Sequence, residues 1–220
     1  MVNKYVINLE RATDRLQSYP DYNRWKAIDG AELKEDNFII KKMSSPYNLK
    51  NYKEHLGKCG CYMSHTTLWK YIVDNKLNDI LIIEDDAEQV SEFPNWDSLP
   101  KDKLTYLGGF IHPLRMRDKI NSVEVVSTEG VNKIDKSKYR VLCMLSYYIP
   151  TYKVAEELLQ EIEMNWSHKK YRAIDIMMSK FKQDMYYYYP AIFIEKHIES
   201  NIRNNKKRHP DKYYKFECHK

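Results

Sequence analysis

The run Glu84-Asp85-Asp86 concentrates more chemistry than any other stretch of this 220-residue chain. It follows Ile80-Leu81-Ile82-Ile83, an apolar run with three isoleucines, which predicts a short strand buried on both faces. Adjacent carboxylates repel one another, and burying them without partners is expensive. Such a cluster therefore lies at the surface or faces a cation. Two readings follow. Either it is a solvated strand end opening a loop, or it holds a divalent metal at the carboxyl end of a sheet strand, where open α/β sheets place their ligands.

Other reactive side chains are scattered, and each has a bland reading beside the chemical one. Lys4 to Leu9 predicts a first strand, and the segment after it carries Arg11 and Arg15. Guanidinium forks match phosphate oxygens; a surface helix with an Arg11–Asp14 pair accounts for the same residues. Trp25 to Gly30 predicts a second strand, with Asp29-Gly30 as its turn. Gly57 and Gly60 let a backbone come close to something. From Cys61 onward the spacing is helical, with Cys61, Leu68, Trp69, Ile72 and Val73 on one face. Ser64 and His65 on that helix have no nucleophile–base partner in the local sequence and read as structural polar groups. Asp175, between two isoleucines at the start of a later helix, is either an N-cap or a catalytic base facing a cleft.

These side chains need elements to position them. Leu104 to Phe110 predicts a strand broken by Gly108-Gly109, followed by a loop from Ile111 to Asp118. Val123 to Val126 predicts a short edge strand and Val141 to Pro150 a long apolar one. Thr151 to Trp166 predicts an amphipathic helix with Ala155, Leu158, Leu159 and Ile162 inside. Tyr186 to Ile194 predicts a strand that Pro190 confines to an edge or bulge. Strands alternating with helices mean α/β with a mostly parallel sheet, in a single domain.

Composition narrows the function classes. The chain has a formal net charge of +5, and residues 203–220 hold seven Lys/Arg against two Asp/Glu, so the body before them is balanced. A balanced body argues against nucleic-acid binding, which needs a basic face. The basic tail is expected to be solvated, or to touch phosphates or anionic lipid as a peripheral membrane contact. No run reaches the ~20 apolar residues of a membrane span, and no apolar segment opens the chain, which leads us to expect a cytoplasmic protein. Of the four cysteines, Cys59 and Cys61 are too close for the usual zinc spacing. Cys143 reads as a buried thiol and Cys218 lies in the tail.

In their order along the chain, these pieces resemble glycosyltransferase family 25, the lipopolysaccharide and procollagen galactosyltransferase type. The resemblance runs from Tyr5 to about Ile202. It rests on Val6-Ile7-Asn8-Leu9-Glu10-Arg11 with Asp14-Arg15, on Ala27-Ile28-Asp29-Gly30, on Gly60-Cys61-Tyr62-Met63-Ser64-His65 with Trp69, and on Ile83-Glu84-Asp85-Asp86-Ala87. Tyr148, the Ala155 to Leu159 helix, Ile174-Asp175, Pro190 and Ser200-Asn201-Ile202 complete it. Lys58 stands where the family usually has Glu, Val154 where it has Gly, and Asn201 where it has Asp.

The resemblance implies a Rossmann-like GT-A domain over residues 1–202 with a basic tail over 203–220. It implies a UDP-galactose or UDP-glucose donor, a glycan or collagen-like acceptor, and a divalent ion, usually manganese. Asp86 is expected to hold the ion, with Glu84 or Asp85 on the ribose or an ordered water. Asn8, Arg11, Arg15, Asp29, Ser64 and His65 are expected around the donor. Asp175 is the expected base and Asp184 the next candidate. A turnover-deficient nucleotide-sugar-binding or assembly module is the alternative, favoured if Lys58 sits in the cleft. A metal-dependent phosphoesterase needs a further His/Asp cluster that the sequence lacks.

Overall fold

The computed structural model describes residues 1–43, 52–113, 128–166, 171–196 and 214–215. Strand β1 (Asn3–Asn8) leads through a 3-10 segment (Glu10–Ser18) to β2 (Asn23–Lys26). A 3-10 turn (Gly30–Glu32) and α1 (Phe38–Lys42) follow, then the long helix α2 (Tyr52–Asp74). Next come β3 (Ile80–Glu84), β4 (Ala87–Gln89), β5 (Thr105–Pro113), β6 (Gly130–Lys133) and β7 (Tyr139–Ile149). Helices α3 (Tyr152–Trp166) and α4 (Ile174–Met178) precede β8 (Tyr186–Tyr189), β9 (Phe193–Glu195) and β10 (Tyr214–Lys215).

The α/β class expected from the alternation is present. The strands form one sheet whose main path is β2-β1-β3-β7-β5-β8-β6. The β2-β1-β3 side is parallel, and β5 runs parallel to β8 and β9. Strand β7 enters antiparallel between β3 and β5, which makes the sheet mixed. The strands near Tyr5, Ile82, Tyr106 and Val141 lie together in it as expected. The second strand ends at Lys26 rather than at Gly30. The Ile28 N–H leaves the ladder and bonds the Ser64 Oγ at 2.8 Å instead. Strand β5 extends to Pro113, so Ile111 to Pro113 pair with β7 where a loop was expected. Its register shifts on both sides of Gly108, the glycine break of the sequence. Pro190 separates β8 from β9. The edge strand expected at Val123 to Val126 lies outside the described residues.

Strand β3 is the spine. Side chains alternate across a sheet, and here both sides are packed: Ile80, Leu81, Ile82 and Ile83 are all fully buried. Ile80 and Ile82 face the layer of α2, α3 and α4, with Leu68, Trp69, Ala155 and Leu158. Leu81 and Ile83 face the other layer, with Val6, Tyr19, Leu107 and Tyr148. The same alternation decides where the acidic run points. Glu84 continues the helix-side row of Ile82, and Asp85 falls on the side of Ile83.

Helix α2 begins at Tyr52, well before the helical spacing at Cys61. Its glycines are contact points rather than breaks. A Cβ on Gly60 would stand 2.5 Å from the Ile28 carbonyl oxygen, and one on Gly30 would stand 1.9 Å from the Leu56 carbonyl oxygen. Neither neighbour is a side chain that can swing away. Gly60→Ala should therefore destabilise the fold by at least the ~1–3 kcal/mol of overpacked core sites. A thermal melt reads this as a lower midpoint; an unchanged midpoint would mean that helix and turn separate without cost.

Candidate functional site

A cleft opens at the carboxyl ends of β1 and β3. It is lined by Arg11, Arg15, Asp29, Ser64, His65, Glu84, Asp85 and Asp86, together with Lys53 and Cys61. All the expected donor-side residues except Asn8 thus meet in one place. Asn8 stands just behind the wall: it is buried, and its amide donates to Asp85 Oδ2 at 2.7 Å and to the Ala12 carbonyl at 2.8 Å.

The three acids of the run have three different surroundings. Asp85 is buried and already partnered, by Asn8 on one oxygen and by Arg15 Nη1 at 2.9 Å on the other. Burial pushes its carboxyl up, and Arg15 and Asn8 pull it back. Its role is to lock Arg15 and the end of β1 to the strand end. Tyr19, buried on the same side, donates its hydroxyl to the Ala87 carbonyl and pins the acidic turn from below.

Glu84 points to the helix layer and ends a chain of buried polar groups. Trp69 Nε1–H donates to the Tyr147 oxygen at 2.9 Å. Tyr147 and His65 Nδ1 are 2.8 Å apart, and His65 Nε2 stands 3.1 Å from Glu84 Oε1. Burial holds the Tyr147 phenol far above its usual range, so it keeps its proton. One assignment satisfies every group: the phenol donates to Nδ1 and the Nε2–H donates to the carboxylate. His65 is then neutral and aims Glu84. Ser64 has a different task, joining the Gly60 carbonyl at 2.7 Å to the Ile28 N–H at 2.8 Å.

Asp86 is the unsatisfied one. Its Oδ1 is buried with no hydrogen-bond partner among the described residues. Burial first, then the nearby Glu84, Glu195 and Asp85, push its carboxyl well above the usual carboxylate range; Arg15 opposes weakly. A buried carboxylate oxygen among other acids is a costly arrangement. It fits a hard divalent cation, which takes oxygen ligands.

The rim is basic. Arg11 pairs with Asp29 across the cleft mouth and remains about half exposed at 48 %. Asp29 is also a turn cap, accepting the Ala31 N–H at 3.0 Å, so turn chemistry and a charge contact coexist in one side chain. If the arginine contacts a bound anion, Arg11→Ala should raise its KM about tenfold or more with kcat unchanged, the loss of one charge-assisted hydrogen bond. An unchanged KM would leave Arg11 a surface charge.

The match to known families covers most of this construction. Residues 1–178 match the family described as Glycosyltransferase family 25 (LPS biosynthesis protein). The chain belongs to that family. Among curated relatives, a Glycosyltransferase 25 family member of Anopheles gambiae is 25 % identical over 175 residues, 71 % of this chain and 28 % of the relative. A Glycosyltransferase 25 family member of Drosophila pseudoobscura pseudoobscura is 29 % identical over 96 residues, 37 % of this chain and 15 % of the relative. The Procollagen galactosyltransferase 2 of Homo sapiens is 28 % identical over 103 residues, 40 % of this chain and 16 % of the relative. The matched stretches are thus under a third of these longer proteins.

Two points of the family pattern can now be placed. Lys58 pairs with Glu54 at 2.7 Å, one turn back on α2, and does not line the cleft. Asp175 is not the N-cap: Ala173 holds that position without a side-chain bond, and Asp175 accepts the Ile176 N–H at 2.7 Å inside the first turn. Asp175 does not line the cleft around the acidic run. Its helix is anchored in the helix-side core by Ile174 and Met177, and the nearby Tyr171 packs at a tilt on Tyr62 of α2, with ring centroids 5.3 Å apart. Asp184, the next candidate, pairs with Lys133 at 2.7 Å on an exposed flank. Sequence reasoning missed Tyr19, Tyr147 and Lys53 as site residues. A tyrosine in an apolar strand gives no sign that its hydroxyl reaches a histidine from another element. No described helix is long and apolar enough to cross a membrane.

Proposed function

We propose that the chain is a metal-dependent inverting glycosyltransferase, moving galactose or glucose from a UDP-sugar to a hydroxyl of a glycan or hydroxylysine-type acceptor. The observation that carries this reading is the orphaned, buried Oδ1 of Asp86 in a cleft rimmed by arginines. It occurs in a chain whose family is that of sugar transferases. The relative named a procollagen galactosyltransferase supports galactose and a collagen-like acceptor among the options.

Asp86 would hold the ion, manganese or another divalent cation, on the leaving-group side. When bound, such an ion neutralises charge that develops on a departing diphosphate. The remaining work falls to the chain. Arg11, and Lys53 at the mouth, offer positive charge to the diphosphate. Asp85 keeps Arg15 and β1 in register with the strand end. His65, held by Tyr147, keeps Glu84 turned into the cleft, where a carboxylate can accept from a ribose hydroxyl or an ordered water. The donor sugar is α-linked and the family's products are β-linked, so the acceptor oxygen attacks from the face opposite the diphosphate. The base must lie on that face, and Asp175 takes this role in our reading. The basic tail is assigned a peripheral contact with anionic lipid, and the cytoplasm is the proposed site of action.

The test is release of UDP from UDP-galactose and from UDP-glucose, with and without manganese. Release that depends on the ion and rises with an acceptor supports the transferase. Donor binding without turnover would return the chain to the alternative, a binding or assembly module. The residue that would have favoured that alternative, Lys58, does not line the cleft.

A further inference from the structure

Helix α2 carries a second set of donor atoms into the same cleft, chemically unlike the oxygens at Asp86. Cys61 and His65 are one helical turn apart on one face, and both face Glu84 across the gap to β3. Cys61 Sγ stands 3.8 Å from Glu84 Oε1, and His65 Nε2 stands 3.1 Å from the same oxygen. One ligand atom from each of the three residues lies within 4.8 Å of the others. Zinc ligands at ~2.0–2.3 Å from the ion stand roughly 3.3–3.7 Å apart in a tetrahedron. The three atoms therefore surround a zinc-sized gap after small side-chain adjustments.

We propose that Cys61, His65 and Glu84 form a site for a thiophilic divalent cation, zinc above all, separate from the hard-cation position at Asp86. Ligand softness distinguishes them. Thiolate and imidazole select zinc over manganese or magnesium, which prefer oxygen. Three protein ligands leave the fourth position of the ion open to the cleft, where water or a phosphate oxygen can enter.

The surrounding groups suit the site. His65 is almost fully buried, so its ring cannot swing away, and Tyr147 fixes its far nitrogen. Metal-bound histidines generally have such an outer partner. On binding, the Cys61 thiol releases its proton to solvent. The imidazole stays neutral and moves its proton from Nε2 to Nδ1, where the Tyr147 oxygen accepts it on a lone pair. The phenol then loses its imidazole acceptor, a cost that keeps binding reversible. Cys59 takes no part. It is fully buried on another face of the helix, and burial pushes its thiol up to about 11. An ion on Glu84 would add positive charge to the cleft, and its open position could take an oxygen of an anion bound there.

The site requires no turnover, so it stands or fails apart from the transferase reading. Cobalt(II) is the probe, because a thiolate ligand gives it a charge-transfer band in the near ultraviolet and tetrahedral coordination gives strong visible bands. In the metal-free full chain both signatures should saturate at an amplitude that corresponds to one cobalt, whatever further cobalt the oxygen site at Asp86 takes up without a thiolate band, and zinc should bleach them. Cys61→Ser should lose the thiolate band, and Asp86→Asn should keep it. A wild-type chain without the band, a band that survives Cys61→Ser, or one that vanishes in Asp86→Asn overturns the proposal. Alkylation of wild-type Cys61, mapped by mass spectrometry, serves should the serine variant not fold. Zinc should slow labelling by tenfold or more, and labelling at an undiminished rate would overturn the site equally.

Discussion

Asp86→Asn should lose sugar transfer by roughly 10²–10³, the scale on which loss of one electrostatic stabiliser acts, and yet fold more stably than the parent in metal-free buffer. The amide keeps the shape of the carboxylate and removes its charge. In the proposed transferase, a bound manganese ion would lose its anionic ligand and a departing diphosphate its counter-charge. The stability half of the expectation follows from the Asp86 carboxyl being held above its unfolded value, chiefly by burial. Across the pH range between the unfolded and folded values, the folded state binds more protons than the unfolded one. Stability from this group therefore falls as pH rises through the ordinary carboxylate range, and the deficit persists above the folded value. Asparagine has no such deficit at neutral pH. Thermal melts in chelator and UDP release with manganese read the two halves separately. Transfer near the parent rate would remove Asp86 from the metal site and leave it a buried acid of the strand end.

Asp175→Asn should fold, bind UDP-sugar and manganese as the parent does, and lose sugar transfer by ~10²–10⁴, the range of a missing general base. The acid opens α4, and its backbone is pinned because Ile174 and Met177 are buried on either side. Its carboxylate is half-buried and spends one oxygen on the Ile176 N–H. Asparagine can accept that same bond, so a purely structural Asp175 would survive the change. In the proposed site the ligands of the ion are excluded as bases, since they would lie on the leaving-group side with lone pairs committed. Retained transfer in Asp175→Asn, with normal folding, would end its candidacy. Asp184 would be a poor replacement, because Lys133 holds its carboxyl below the usual range on an exposed flank.

Much of the fold was legible because burial writes itself into residue type. Four successive apolar residues marked β3 as covered on both faces. The spacing of Ala155, Leu158 and Ile162 marked the buried face of α3. Strand direction carries no such signature. Strand β7 is as apolar as a parallel strand, and nothing in its composition announced that it runs against β3 and β5. The start of α2 at Tyr52 was not legible, because regular apolar spacing begins only at Cys61, but the close backbone approach expected at Gly60 is present, made by the Ile28 carbonyl and Gly30. At the site, the acidic run stood out by charge density. The division of labour within it did not, because it depends on Asn8, Arg15, His65 and Tyr147 arriving from distant parts of the chain.

The contact between Gly30 and Gly60 also bears on how the cleft receives a ligand. The turn bearing Asp29 and the helix bearing His65 touch backbone to backbone, and the Ser64 hydroxyl bridges the two. These walls are interlocked into one stiff piece. Little ordering entropy is then lost there on association, so more of the contact energy appears as affinity. Stiffness also sharpens choice. A flexible wall yields to an ill-fitting guest, but one closed by interlocked backbone can only clash with it, and that clash discriminates between ligands differing by a single group.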